Sequence, residues 1–198
     1  MNIHKYFIKF KIIFFVKIIL IPYNKYKFIY IRYIHTIFLG GFVMKFNWNN
    51  SWLFTKNAAL VSENHTALNI ADWEAVNLPH TWNAVDGQDG GNDYYRGTCY
   101  YTKKLALADC QGAEEIYMEF EGANSSADVY VNGKLAVHHD GGYSTFRANI
   151  TDLITEESEI VVAVDNAPND YVYPQMADFT FYGGLYRDVN IIFAFSSL

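Results

Sequence analysis

Apolar residues recur at every second position through most of the chain after Met44, and that period restricts it to strands with one buried face. Ile116, Met118 and Phe120 alternate with Tyr117, Glu119 and Glu121. Val129 and Val131 alternate with Asp128 and Tyr130, and Ile160, Val162 and Val164 form another row. Side chains on a strand point to opposite faces in turn, so each row puts one face on a core and the other toward solvent. Asn132-Gly133 separates Asp128–Val131 from Lys134–Val137, and both residue types tolerate the positive φ of a type I′ hairpin turn. Further strands are predicted near Trp52–Thr55, Tyr100–Leu107, Phe146–Ile150 and Leu185–Phe193, with a single helical turn at Thr151–Ile154. Short strands between Gly, Asn, Asp and Pro clusters predict an all-β fold, an antiparallel jelly-roll β-sandwich.

The first 43 residues do not share this pattern. They hold seven of the fifteen basic residues and no acid, which leaves 8 basic and 21 acidic residues from Met44 onward, a net charge of −13. A membrane span is disfavoured, because Lys17 interrupts the apolar run Ile12–Ile21 and Pro22 ends it, well short of the ~20 residues that crossing needs. A secretory signal is disfavoured because no small-residue cleavage site follows the run. The leader is rich in Ile, Lys, Phe, Tyr and Asn, the residues with AT-only codons, and Leu39-Gly40-Gly41 can be encoded with AGGAGG. That ribosome-binding sequence would stand about seven nucleotides before the Met44 codon. The expected organisation is therefore a non-domain leader over 1–43, a mis-assigned start, and one domain over 44–198. The expected location is the cytoplasm, or export or membrane tethering if the leader is real.

Several chemistries lack their motifs. No HExxH, CxxC, phosphate loop or GxSxG occurs. His138 and His139 are adjacent and should face opposite ways on a strand. The acidic balance argues against a nucleic-acid partner. Cys99 lies among aromatics and reads as a buried, inert thiol. Ser125, Ser126 and Ser144 read as turn residues whose hydroxyls bond backbone. Most of Glu114, Glu115, Glu119, Glu156, Glu157 and Glu159 should lie on solvated faces. Asp178 stands apart. It ends a long loop amid Tyr171, Tyr173, Phe179, Phe181 and Tyr182, and aromatic faces beside a carboxylate suit a sugar ring. Capping of the loop is the competing role.

Three ordered stretches carry a resemblance. Leu78-Pro79-His80-Thr81-Trp82-Asn83 precedes Asp86 and Gly90-Gly91. Val129-Tyr130-Val131-Asn132-Gly133-Lys134 leads to His139-Asp140-Gly141-Gly142-Tyr143-Ser144. Val164-Asp165-Asn166 precedes the run from Asp178 to Val189, which includes Gly183-Gly184-Leu185-Tyr186-Arg187-Asp188. Together, over residues 46–193, they resemble the N-terminal sugar-binding domain of glycoside hydrolase family 2, of the β-galactosidase kind.

The resemblance implies a jelly roll followed by an immunoglobulin-like domain and a TIM barrel. The barrel would carry two catalytic glutamates in a retaining mechanism and needs roughly 250 residues of its own. No catalytic residue is therefore expected in this chain, which should be inactive alone. The partners implied are those missing domains and a β-galactoside-type sugar, with no nucleic acid or membrane. The resemblance places Asp178 on the sugar hydroxyls and on a sodium ion, and Asn92 near the sugar. No cofactor is expected beyond sodium or magnesium in the intact enzyme. His80 and Trp82 are expected to pack and anchor loops, and Arg187-Asp188 to form a buried ion pair tying down the last strand. Val137 or His138 stands where many relatives have glycine, which should reshape the hairpin exit only. A stand-alone carbohydrate-binding module is the rival function. The intact mass of the natural product checks the leader: a chain beginning at Met44 is expected, and a species retaining residues 1–43 contradicts it.

Overall fold

The computed structural model describes residues 19–23, 27–31, 41–86, 94–110, 112–173 and 181–196. A two-stranded antiparallel hairpin joins β1 (Ile19–Tyr23) to β2 (Lys27–Ile31). The remaining ten strands form two antiparallel sheets. They are β3 (Gly41–Asn47), β4 (Trp52–Thr55), β5 (Glu74–Val76), β6 (Thr98–Ala106), β7 (Glu115–Phe120), β8 (Ser126–Val131), β9 (Lys134–Asp140), β10 (Phe146–Asn149), β11 (Glu157–Asp165) and β12 (Val189–Ser196). One sheet runs β10-β7-β12-β3 and the other β5-β4-β6-β11-β8-β9. No described helix is long and apolar enough to cross a membrane.

The period-two rows meet between the sheets. Ile116, Met118 and Phe120 of β7 join Val189, Ile191 and Phe193 of β12, facing Tyr101 of β6, Ile160, Val162 and Val164 of β11 and Val129 and Val131 of β8, all of them buried. Burial of each such side chain is worth about 1.5–3 kcal/mol. Trp52 fills one side, its indole Nε1 donating to the Trp48 carbonyl at 2.8 Å. Lys103 donates to the carbonyls of Trp48 (2.9 Å) and Asn50 (2.7 Å) and lies over the Trp48 ring. Burial pushes its ammonium down to about 8.

The hairpin at Asn132-Gly133 forms with both φ values positive, 50° and 79°, and Val131 pairs with Lys134. A bulge follows: Val129 pairs with Val137 but Tyr130 with Leu135, so Ala136 is extra. His138 and His139 do face opposite ways. His138 sits between Asp128 (2.6 Å) and Asp140 (3.1 Å), and the hydrogen bonds to Asp128 and then Asp140 raise its pKa. His139 meets Ser144 (3.0 Å) and stacks on Phe146. The helical turn is a 3₁₀ turn at Thr151–Leu153.

Three details depart from expectation. The last strand starts at Val189 rather than Leu185, because Gly184 pairs with Asn124, and the Tyr186 hydroxyl and Arg187 reach the Gly142 and Tyr143 carbonyls. Arg187 and Asp188 are not a buried ion pair: exposed Arg187 donates to the Tyr143 carbonyl at 3.0 Å, and Asp188 accepts from Asn49 at 2.9 Å. Glu119 is not on a solvated face. It is 4% exposed and takes Lys45 at 2.5 Å and Arg147 at 2.6 Å across the outer face of the four-stranded sheet.

Burial alone would raise the Glu119 pKa, but hydrogen bonds from Lys45 and Arg147 prevail and hold it below the usual carboxylate range. A depressed folded pKa means that this stabilisation is complete above the unfolded value and is lost as pH falls through the folded one. Lys45 and Arg147 are partly solvated, which screens the pair. Glu119→Ala should therefore cost about 1–3 kcal/mol in urea unfolding at neutral pH, and the difference from wild type should shrink below pH 4.

Candidate functional site

Parts of all three resembling stretches meet at one end of the sandwich, where β6 begins and β11 ends, while the Asn132-Gly133 turn lies at the other end. The join is made by side-chain amides. Asn83 has no exposed surface. Its Oδ1 accepts from the Gly183 N–H at 2.8 Å and from Asn166 Nδ2 at 3.2 Å. Its Nδ2 donates to Asp86 at 2.5 Å and to the Tyr95 carbonyl at 3.0 Å. Asn166, just past β11, accepts from the Gly97 N–H at 2.9 Å and donates to the Tyr95 carbonyl at 3.2 Å. Asp86 also accepts from the Tyr95 N–H at 3.0 Å. Asn124 adds a third amide: its Nδ2 donates to the Tyr182 carbonyl, and its backbone pairs with Gly184 in both directions.

The two glycines are required by this closeness. A Cβ on Gly183 would overlap the Trp82 ring, and one on Gly184 would come within 2.6 Å of the His80 carbonyl and 2.7 Å of the Tyr101 hydroxyl. The Gly184 φ of 121° disfavours a side chain as well. Trp82 stacks along Phe54, and His80 Nδ1 lies 2.8 Å from the Tyr101 hydroxyl. Burial lowers the His80 pKa. Both residues anchor the loop, as expected. Cys99 is fully buried, and desolvation pushes its thiol up to about 12, which leaves it inert at neutral pH.

Above the amides lies a shallow recess. Asn124, Ser125 and Asn166 form its floor, and Arg96, Tyr143, Val172 and Phe181 line it. Arg96 lies over the rings of Tyr94 and Phe181, 5.2 and 5.9 Å from their centroids. The Ser125 hydroxyl donates to the Asp165 carbonyl, as a turn serine would. Ser126 instead donates to Asp140, and Ser144 meets His139. Among the described residues no cluster of His, Cys, Asp and Glu could hold a metal ion.

Residues 43–194 match the family of glycosyl hydrolases family 2, sugar binding domain. The chain belongs to that family. A β-glucuronidase of Bacteroides fragilis is 41% identical over 123 residues, 61% of this chain and 18% of that protein. A β-galactosidase of Thermoanaerobacter pseudethanolicus is 30% identical over 148 residues, covering 72% and 20%. The crystal structure of Bacteroides uniformis β-glucuronidase superposes with a TM-score of 0.67 at 37% identity, over 76% of this chain and 18% of that one. The chain thus spans about a fifth of the length of these family 2 relatives.

The two residues expected at the sugar, Asn92 and Asp178, lie outside the described residues. Their described flanks meet: the Tyr94 hydroxyl donates to the Phe181 carbonyl. Asn83, Asn124 and Asn166 were not assigned a role from sequence. The available signal was an asparagine after the Pro-His-Thr-Trp run and another after Val-Asp, next to residues too apolar to satisfy them. Asn83→Ala leaves the Gly183 N–H and the Asp86 carboxyl short of a partner. It should cost about 2–4 kcal/mol in chemical unfolding and speed amide exchange at Gly183. A cost well under about 1 kcal/mol would mean the loops hold together without it.

Proposed function

We propose that this domain forms one wall of the sugar site of an intact family 2 β-glycosidase, with Asp178 on the sugar hydroxyls and Asn92 near them. Asp178 is also the residue of this chain that would help hold a sodium ion there. The reading is carried by one observation: the amides of Asn83 and Asn166 hold together the chain on either side of both segments. A wall of this kind positions substrate, while the paired carboxylates of retaining hydrolysis belong to the rest of the enzyme. β-Glucuronides and β-galactosides are the two substrate classes named among the relatives, and both fit a wall that reads ring hydroxyls.

The test is a domain exchange. The chain from Met44 replaces the matching fifth of Bacteroides uniformis β-glucuronidase, and turnover of p-nitrophenyl β-glucuronide and β-galactoside is measured. Asp178→Ala in that chimera should lower kcat/KM about 100-fold, the scale of a lost positioning contact. Its melting temperature should hardly move. Unchanged kinetics would overturn the role of Asp178.

A further inference from the structure

The polar side chains of the recess floor already bond within the domain. Asn124 is committed to Tyr182, Ser125 to Asp165, and Asn166 to Asn83, Tyr95 and Gly97. What remains for a ligand stands around the mouth. Tyr171 is 85% exposed and Tyr173 is 90% exposed, while Val172 between them is buried and lines the recess. Tyr143, also exposed, lines it too, and so does Arg96.

Such exposure is not that of a loose loop. The Asn169 side chain accepts from the Tyr171 and Val172 N–H groups, both at 2.9 Å, and donates to Ser126 at 3.2 Å. Val172 plugs the turn into the domain. The backbone at Tyr171 and Val172 is therefore held by Asn169 while two aromatic rings are presented to solvent. Presenting large rings on a pinned turn forgoes their burial, worth more than that of any other side chain. It also avoids the ordering cost that a mobile loop would pay on binding.

We propose that Tyr171 and Tyr173 form a glycan-stacking subsite beside the recess, with the Arg96 guanidinium donating to the oxygens of the bound sugar. Tyrosine pairs an apolar ring face, for the C–H side of a pyranose, with a hydroxyl for its edge. A protein partner would call for aliphatic anchors and a larger continuous apolar area; here the exposed apolar groups are tyrosines around a polar floor. A polyanion such as nucleic acid is opposed by the net charge of −13 after Met44. The subsite rests on the sugar-binding reading of this end, but it needs only residues of this chain and does not need Asp178.

The full 198-residue chain is titrated with galactose, glucuronic acid, a β-galactotetraose and a hyaluronan tetrasaccharide, by calorimetry and by amide NMR. At least one tetrasaccharide should bind roughly three- to tenfold tighter than its monosaccharide, with shifts centred on residues 171–173. Tyr171→Ala with Tyr173→Ala should abolish that preference and leave the melting temperature unchanged, since neither ring is packed. The double Phe variant should keep it. Equal affinity for mono- and tetrasaccharide, absence of saturable tetrasaccharide binding, or an Ala variant that binds like wild type each overturns the subsite. So does finding that these rings drive self-association instead. The Asp178 reading survives any of these results, because turnover in the chimera tests it separately.

Discussion

One buried carboxamide holds one end of this domain together. Asn83 is enclosed on all sides, so each polar atom on it must find a partner in the protein or lose its hydration without return. It finds four, drawn from three separated parts of the chain: Asp86 and Tyr95, Asn166, and Gly183. Each of those partners is in turn satisfied only in this arrangement. The Asn166 amide closes on Tyr95 and Gly97, and Asp86 closes on Tyr95. In a low-dielectric interior such a network is worth most when complete, and losing one member exposes the others to a desolvation cost. Loop ends that would otherwise be independent become one cooperative unit.

Charge is handled in the same way. Positive groups are scarce after Met44, and most are committed to structure. Lys45 and Arg147 neutralise Glu119 on the outer face of the four-stranded sheet. Lys103 is held by two carbonyls beneath Trp48, and Arg187 by the Tyr143 carbonyl. Arg96 differs. Its backbone is fixed by the bonded neighbours Tyr95 and Gly97, and its guanidinium rests on aromatic rings and makes no ion pair with a described residue. It thus lines the recess of an acidic domain while bonded to Tyr94 and stacked on rings.

The sandwich was legible because its signal is local and repeated. Ile116, Met118 and Phe120 declare a strand wherever they occur, and Asn132-Gly133 declares a turn from two residues. The strand at Trp52–Thr55 has the bounds read from sequence. Departures arise where a distant group overrides the local pattern. Leu185 and Tyr186 continue the apolar run, but Gly184 is held by Asn124 and Tyr186 by the Gly142 carbonyl, so the ladder starts only at Val189. Glu119 occupies a solvent-side position in its row, yet Arg147 from the adjacent β10 and Lys45 from β3, one strand further on, close over it. At the end where β6 begins, the ordered motifs did not announce the hydrogen bonds that join them. Asn83, Asn124 and Asn166 look like ordinary turn residues until the loops are brought together, because their partners lie as far as a hundred residues away.

The commitment of the floor bears on how one sandwich serves enzymes of different substrate. Asn124, Ser125 and Asn166 are bonded within the domain itself, so a substitution at any of them disturbs the network. Arg96 and Tyr143 line the same recess outside that network. Domains 30–41% identical to this one occur in proteins named for β-glucuronides and for β-galactosides alike. At the rim a substitution puts no core hydrogen bond at stake. The Asn83 network, which would be lost as a unit, is left untouched.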